Sequence, residues 1–183
     1  MNIPGRLWAA AALLACLLVL SGVALTAEVN MAEVEALATR PVRDILKDSP
    51  FQEISETRYR EAVRGSKRPV VVMFYSNEDR PSQNLATLLR YVAVDYSDKI
   101  TFYHFMVVPK GKPDRPTITR MQKAYSLDKV PGTFFYDNDK STMVLEKEDY
   151  ALPTFKEYRT PGMFLWKVYY SKIREYIDKH ILD

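Results

Sequence analysis

Short apolar runs alternate along this chain with segments in which apolar residues recur every three or four positions. The most continuous run, Val70-Val71-Val72-Met73-Phe74-Tyr75, has no polar alternation and predicts a central strand buried on both faces. It breaks into the polar turn Ser76-Asn77-Glu78-Asp79-Arg80-Pro81. From Ser82 the spacing Leu85, Leu88, Leu89, Val92 predicts a helix with one buried face, running to about Tyr96. Ile100 to Val108 repeats the strand pattern. Before the central strand, Ile54-Ser55-Glu56-Thr57 followed by Tyr59, Ala62 and Val63 predicts a short strand and then a helix capped by Ser55 or Thr57.

Beyond Val108, a loop rich in charge and proline (Pro109 to Pro116) leads to a short helix over 117–127, with Met121 and Tyr125 inward. Thr133-Phe134-Phe135-Tyr136 is the next strand, Asp137-Asn138-Asp139-Lys140 a hairpin turn, and 142–145 a last strand. A charged and aromatic insertion (146–161) precedes a terminal helix over 162–181. Phe164, Leu165, Val168, Tyr169, Ile173, Tyr176 and Ile177 form its inner side, which leaves Trp166 and Tyr170 as exposed aromatics suited to an interface. The alternation of strands and helices is that of an α/β domain, 51–183. Ahead of it, Met31, Val34, Leu37 and Ala38, then Val42, Ile45 and Leu46 after Pro41, predict short helices in a linker over 28–50.

The first 27 residues form a separate export segment. Arg6 precedes an uncharged run from Leu7 to Ala27, and Glu28, Glu33 and Glu35 follow, a charge order that directs the rest of the chain away from the cytoplasm. Three fates fit it. As a signal peptide it offers small residues at Gly22 and Ala24 for cleavage. As an anchor, its 21 residues would span about 31 Å as a helix, enough for a hydrocarbon core of roughly 30 Å. The third is lipidation at Cys16, since Leu13-Leu14-Ala15-Cys16 loosely resembles a bacterial lipobox.

Composition narrows the chemistry. Lys plus Arg number 26 against 23 acidic residues, a net +3, and no basic stripe with interleaved aromatics marks a nucleic-acid partner. Cys16 is the only cysteine, so the folded part has neither a disulfide nor a cysteine metal site. His104 and His180 are far apart in sequence, and His104 lies in a strand-like run where a structural role is expected.

Strand, turn and helix start in this order resemble the thioredoxin redox site, a Cys-x-Pro-Cys turn after an apolar strand that ends in an aromatic pair. Phe74-Tyr75-Ser76 takes the place of the aromatic segment, Pro81 that of the motif's proline, and Asp79 and Ser82 those of the two cysteines. Val130-Pro131 before Thr133-Phe134-Phe135-Tyr136 is similar to the family's cis-proline at the start of an antiparallel strand, with Gly132 inserted. The resemblance implies a thioredoxin-like fold over 51–183, a central mixed β-sheet flanked by helices.

It also implies that the chemistry is gone. Dithiol exchange needs a thiolate at the helix start; Asp79 cannot attack a disulfide, and Ser82 has no neighbouring base in sequence. The buried Asp that many thioredoxins keep in the central strand is replaced by Met73. A glutathione transferase of this fold would need an all-helical second domain for which the chain has no room. The degenerate turn Asp79, Arg80, Pro81 and Ser82 is therefore expected to be structural, Asp79 or Ser82 capping the helix, with Asn77 and Glu78 beside them as further ligand contacts. In the family, the backbone beside the cis-proline pairs with an extended segment, so Lys129, Val130, Pro131 and Gly132, with Tyr75, are the candidate peptide-binding residues. The expectation is a non-enzymatic protein without cofactor or metal, exported to a periplasm or secretory lumen. There it binds a protein partner as an accessory, assembly or chaperone-type factor; the alternative is a structural subunit anchored in a membrane complex. No Asn-x-Ser/Thr sequon and no C-terminal retention signal is present, which favours the periplasm.

Overall fold

The computed structural model describes residues 29–136 and 163–182. The chain divides into two compact units, residues 1–30 and 31–183, and of the first only Val29 and Asn30 are described. The expected export segment with Cys16, the hairpin turn expected at 137–140, the strand expected at 142–145 and the insertion at 146–161 all lie outside the described residues. So do the side chains of residues 163–168, Trp166 among them. Among the described residues no helix is long and apolar enough to cross a membrane.

The second unit runs α1 (Met31–Leu37), α2 (Val42–Leu46), β1 (Phe51–Glu53), α3 (Glu56–Arg64), β2 (Val70–Ser76), α4 (Arg80–Tyr96), β3 (Thr101–Val108), α5 (Arg115–Tyr125), β4 (Gly132–Tyr136) and α6 (Met163–His180). The sheet order is β1-β3-β2-β4. β3 runs parallel to both β1 and β2, with Val71 opposite Phe102 and Phe74 opposite Phe105; β4 runs antiparallel to β2, with Val72 opposite Phe134. Every residue of β2 is buried, as a run without polar alternation requires when both faces of a central strand are covered.

Side chains alternate across β2, so the two faces build two cores. Val70, Val72 and Phe74 join Ile54, Val63, Phe105, Met121, Leu127 and Phe134 under α3 and α5. On the other face Val71 shares its register with Phe102 and Phe135, and Phe135 packs edge-on against Tyr176 of α6 at 5.2 Å between ring centres. Leu85, Leu88, Leu89 and Val92 are buried along α4 at the predicted spacing. The result is a small α/β domain, a mixed four-stranded sheet among the described residues with flanking helices, compatible with a thioredoxin-like fold.

Residues 31–46, set apart by the sequence as part of a linker, pack onto the domain. Val42, Ile45 and Leu46 are almost completely buried, and α2 lies against α4. Each such side chain contributes roughly 1.5–3 kcal/mol. The ion pair of Arg43 with Glu53, 2.7 Å apart, is solvent-exposed and screened, so apolar burial holds this arm in place. Polar contacts fix its position: Arg90 donates from Nη1 to the carbonyls of Ile45 (2.6 Å) and Lys47 (2.7 Å), and Arg80 donates to the carbonyl of Ala38.

Three local expectations differ from what is observed. α3 has Ser55 at its N-cap without a side-chain capping bond, because the Ser55 and Thr57 hydroxyls bond each other at 3.0 Å. α4 starts at Arg80, ahead of Ser82, since Asp79 caps it and Pro81 fits the first turn. Tyr170 is not spare surface: its hydroxyl donates to Asp95, and Arg174 lies over its ring.

Candidate functional site

The turn after β2 is held by hydrogen bonds among Ser76, Asp79 and Ser82. Asp79 has extended backbone (φ −90°, ψ 129°) and caps α4. Its Oδ2 accepts from the Ser82 N–H and from the Ser82 hydroxyl, each at 3.2 Å. Ser82 is fully buried, and its Oγ accepts from the Ser76 N–H at 3.1 Å. The Ser76 hydroxyl donates to the carbonyl of Gly111, which ties the loop after β3 to the turn. The carboxylate thus supplies a helix cap and the hydroxyl a buried relay.

Asn77 joins the turn to the N-terminal arm. Its carbonyl accepts from the Val42 N–H at 2.8 Å, its side-chain Oδ1 accepts from the Arg43 N–H at 3.0 Å, and its own N–H donates to Val108 at 3.0 Å. The start of α2 is thereby satisfied by a residue that the sequence suggested as a ligand contact.

Across from this turn, Val130-Pro131 is a cis peptide bond, and Gly132 begins β4 opposite Phe74. A Cβ at Gly132 would lie 2.4 Å from Leu127 Cδ1, so the buried Leu127 side chain would have to shift to admit it. Between the two loops lies a cleft of about 540 Å³ lined by Asp79, Arg80, Pro81, Lys112, Pro113, Ile118, Asp128, Lys129 and Val130. Asp79, Arg80 and Pro81 line it together with Lys129 and Val130, whereas Pro131 and Gly132 are not among the lining residues. Three cations (Arg80, Lys112 and Lys129) and two carboxylates stand round an apolar strip of Pro81, Pro113, Ile118 and Val130.

Other candidate residues fall elsewhere. Ser82 lies beneath the turn. Tyr75 is buried and is not part of the cleft lining; its hydroxyl meets His104 Nδ1 at 3.1 Å. Burial first, then the charge of Glu53, holds the Tyr75 phenol well above its ordinary pKa. His104 is a buried structural imidazole, as the sequence suggested. Burial pushes its pKa down to about 4, against a smaller upward pull from Glu53.

Lys112, Pro113, Ile118 and Asp128 are cleft residues that the sequence did not single out. The only signal was the density of charge and proline in the 109–116 loop. Among the described residues no group of three or more His, Cys, Asp or Glu side chains is placed to hold a metal ion. The cleft offers cations, carboxylates and apolar side chains beside a strand start. No protein-family model matches the sequence, and no curated protein matches it.

Proposed function

We propose that this chain is a redox-inactive, thioredoxin-like domain that works outside the cytoplasm by holding a protein partner as an accessory, assembly or chaperone-type factor. The observation that carries the reading is the cleft between the Asp79–Pro81 turn and the Asp128–Val130 loop. The thioredoxin resemblance would put a substrate groove between these same two loops, with Asp79 and Ser82 where that family has its cysteines. Strand addition beside Pro131 would supply backbone hydrogen bonds, and the apolar strip and mixed charges would select side chains. The export segment argues for a lumenal or periplasmic setting.

In-cell photo-crosslinking from probes at Lys112 and Lys129, with Lys172 on α6 as comparison, tests this reading. All three side chains are exposed, and Asp79 is spared because it caps α4. One dominant partner captured from Lys112 and Lys129 supports the cleft and identifies the partner. Capture from Lys172 alone would sink the cleft and favour a subunit docked through its terminal helix.

A further inference from the structure

A second cleft, of about 780 Å³, opens between α3 and α5. On α3, Tyr59, Arg60, Val63 and Arg64 share one face at helical spacing. Val63 is buried in the core, and Arg60 and Arg64 stand exposed at the rim. Lys123 faces them from α5, while Tyr125 and Tyr136 complete the wall. Tyr125 meets Tyr59 edge-on at 4.6 Å between ring centres. The lining carries Arg60, Arg64 and Lys123 against a single acid, Glu56, and Glu56 is already paired with Arg120 at 2.7 Å. Arg64 and Lys123 lie in the last turns of their helices, where a cation favours the helix dipole. That accounts for a modest stabilisation and supplies neither with a counter-ion.

The floor adds a directed donor. The Tyr59 and Tyr136 hydroxyls bond each other at 2.5 Å. Burial, above all, raises the pKa of both phenols, so both keep their protons. Two O–H protons are present and the mutual bond uses one, which leaves one phenolic donor for an outside acceptor. Spacing selects the form of that acceptor. Arg60 and Arg64 are separated by about 6 Å along the helix axis, and alternate residues of an extended chain by roughly 6.5–7 Å. Carboxylates at every second position of a strand therefore match the spacing of the two helix positions that carry the guanidinium groups.

We infer that the α3–α5 cleft is a second binding site, for an extended acidic protein segment in which carboxylates occupy alternate positions. Arg60 and Arg64 take successive carboxylates, Lys123 closes from the opposite wall, and the tyrosine pair donates to an oxygen at the floor.

The test is fluorescence anisotropy of a labelled peptide with Glu at every second position, titrated with the full-length chain, beside the same peptide with Gln for Glu. The acidic peptide should bind saturably and more weakly as salt is raised, and the Gln peptide about tenfold more weakly still. Arg60→Gln combined with Arg64→Gln should weaken the acidic peptide about fivefold. Tyr59→Phe combined with Tyr136→Phe removes both partners of one bond, so the fold is retained, and should weaken it about threefold. Arg58→Gln removes one charge from the same helix outside the cleft and should leave affinity unchanged. Lys123→Gln, at an exposed helix position, gives an independent reading if the paired arginine variant does not fold: a loss of about twofold supports the site, and no loss counts against it. Equal binding of the Gln peptide, or an equal loss from Arg58→Gln, would overturn the assignment. Complete displacement of the peptide by inorganic phosphate at the same concentration would overturn the peptide specificity.

Discussion

Asp79 and Ser82 hold each other. The carboxylate of the first accepts both the amide and the hydroxyl proton of the second, and the Ser82 oxygen then satisfies the buried Ser76 amide. The two positions are therefore unequal: Asp79 serves a helix end that is partly open to solvent, whereas Ser82 serves an amide inside the protein.

Stability should rank them accordingly. Asp79→Ala removes a cap and is expected to cost about 1 kcal/mol, with Asp79→Asn close to neutral. Ser82→Ala leaves the Ser76 N–H without its partner and is expected to cost more, about 2 kcal/mol. Urea unfolding of the three variants checks the order; Asp79→Ala proving worse than Ser82→Ala would contradict the relay.

Acid should weaken the fold through His104. An unfolded imidazole with a pKa near 6.5 takes up a proton that the buried one, held at about 4, refuses. Between roughly pH 6.5 and 4 the unfolded chain binds the extra proton, so stability falls on acidification by up to about 1.4 kcal/mol per pH unit. Above about pH 7.5 the effect is absent, because both forms are then neutral. Urea midpoints from pH 5 to 8 should show this slope in the native chain and a flatter one in His104→Gln; parallel slopes would remove His104 as the cause.

Arg90 spans two carbonyls of the arm. Arg90→Ala is expected to raise amide hydrogen exchange across residues 31–47 at least tenfold, while the amides of β2 and β3 keep their protection. Arg80→Ala should act more locally, at the end of α1, where its Ala38 partner lies. Exchange that rises uniformly over the whole domain in either variant would mean the arm does not open separately.

Gly132→Ala should destabilise by about 1–3 kcal/mol through overpacking against Leu127. Leu127→Val withdraws the offending methyl group, so the two changes together should cost less than their separate effects added. A double-mutant cycle by urea unfolding measures that coupling, and simple additivity would show that the two side chains do not collide.

The parts of this fold legible in the sequence are those governed by local period. β2 could be read because a strand covered on both faces leaves an unbroken apolar run, and α4 because its buried leucines recur at helical spacing. The start of α4 was less legible, since Arg80 and Pro81 in its first turn carry no apolar period. Ser55 and Thr57 misled because a neighbouring hydroxyl competed for the capping bond. Tyr170 looked exposed because its partner, Asp95, is 75 residues away in sequence. The same limit applies to the cleft. The turn at 79–82 and the Val130-Pro131 pair were visible as motifs, but Lys112, Pro113 and Ile118 reach the cleft only through the chain's return after β3, which no local pattern encodes.

The clasp between arm and turn also defines a mechanical path. A pull on the Met31 end of α1 would load the Arg80–Ala38 bond and the Asn77 contacts with α2 before it reached the sheet. Tension would therefore arrive first at Arg80, which is itself a wall of the cleft. A domain wired in this way registers strain on its N-terminal side at the surface proposed to grip its partner, and Asn77, next to the end of β2 and bonded to Val108 of β3, passes the remainder to the sheet.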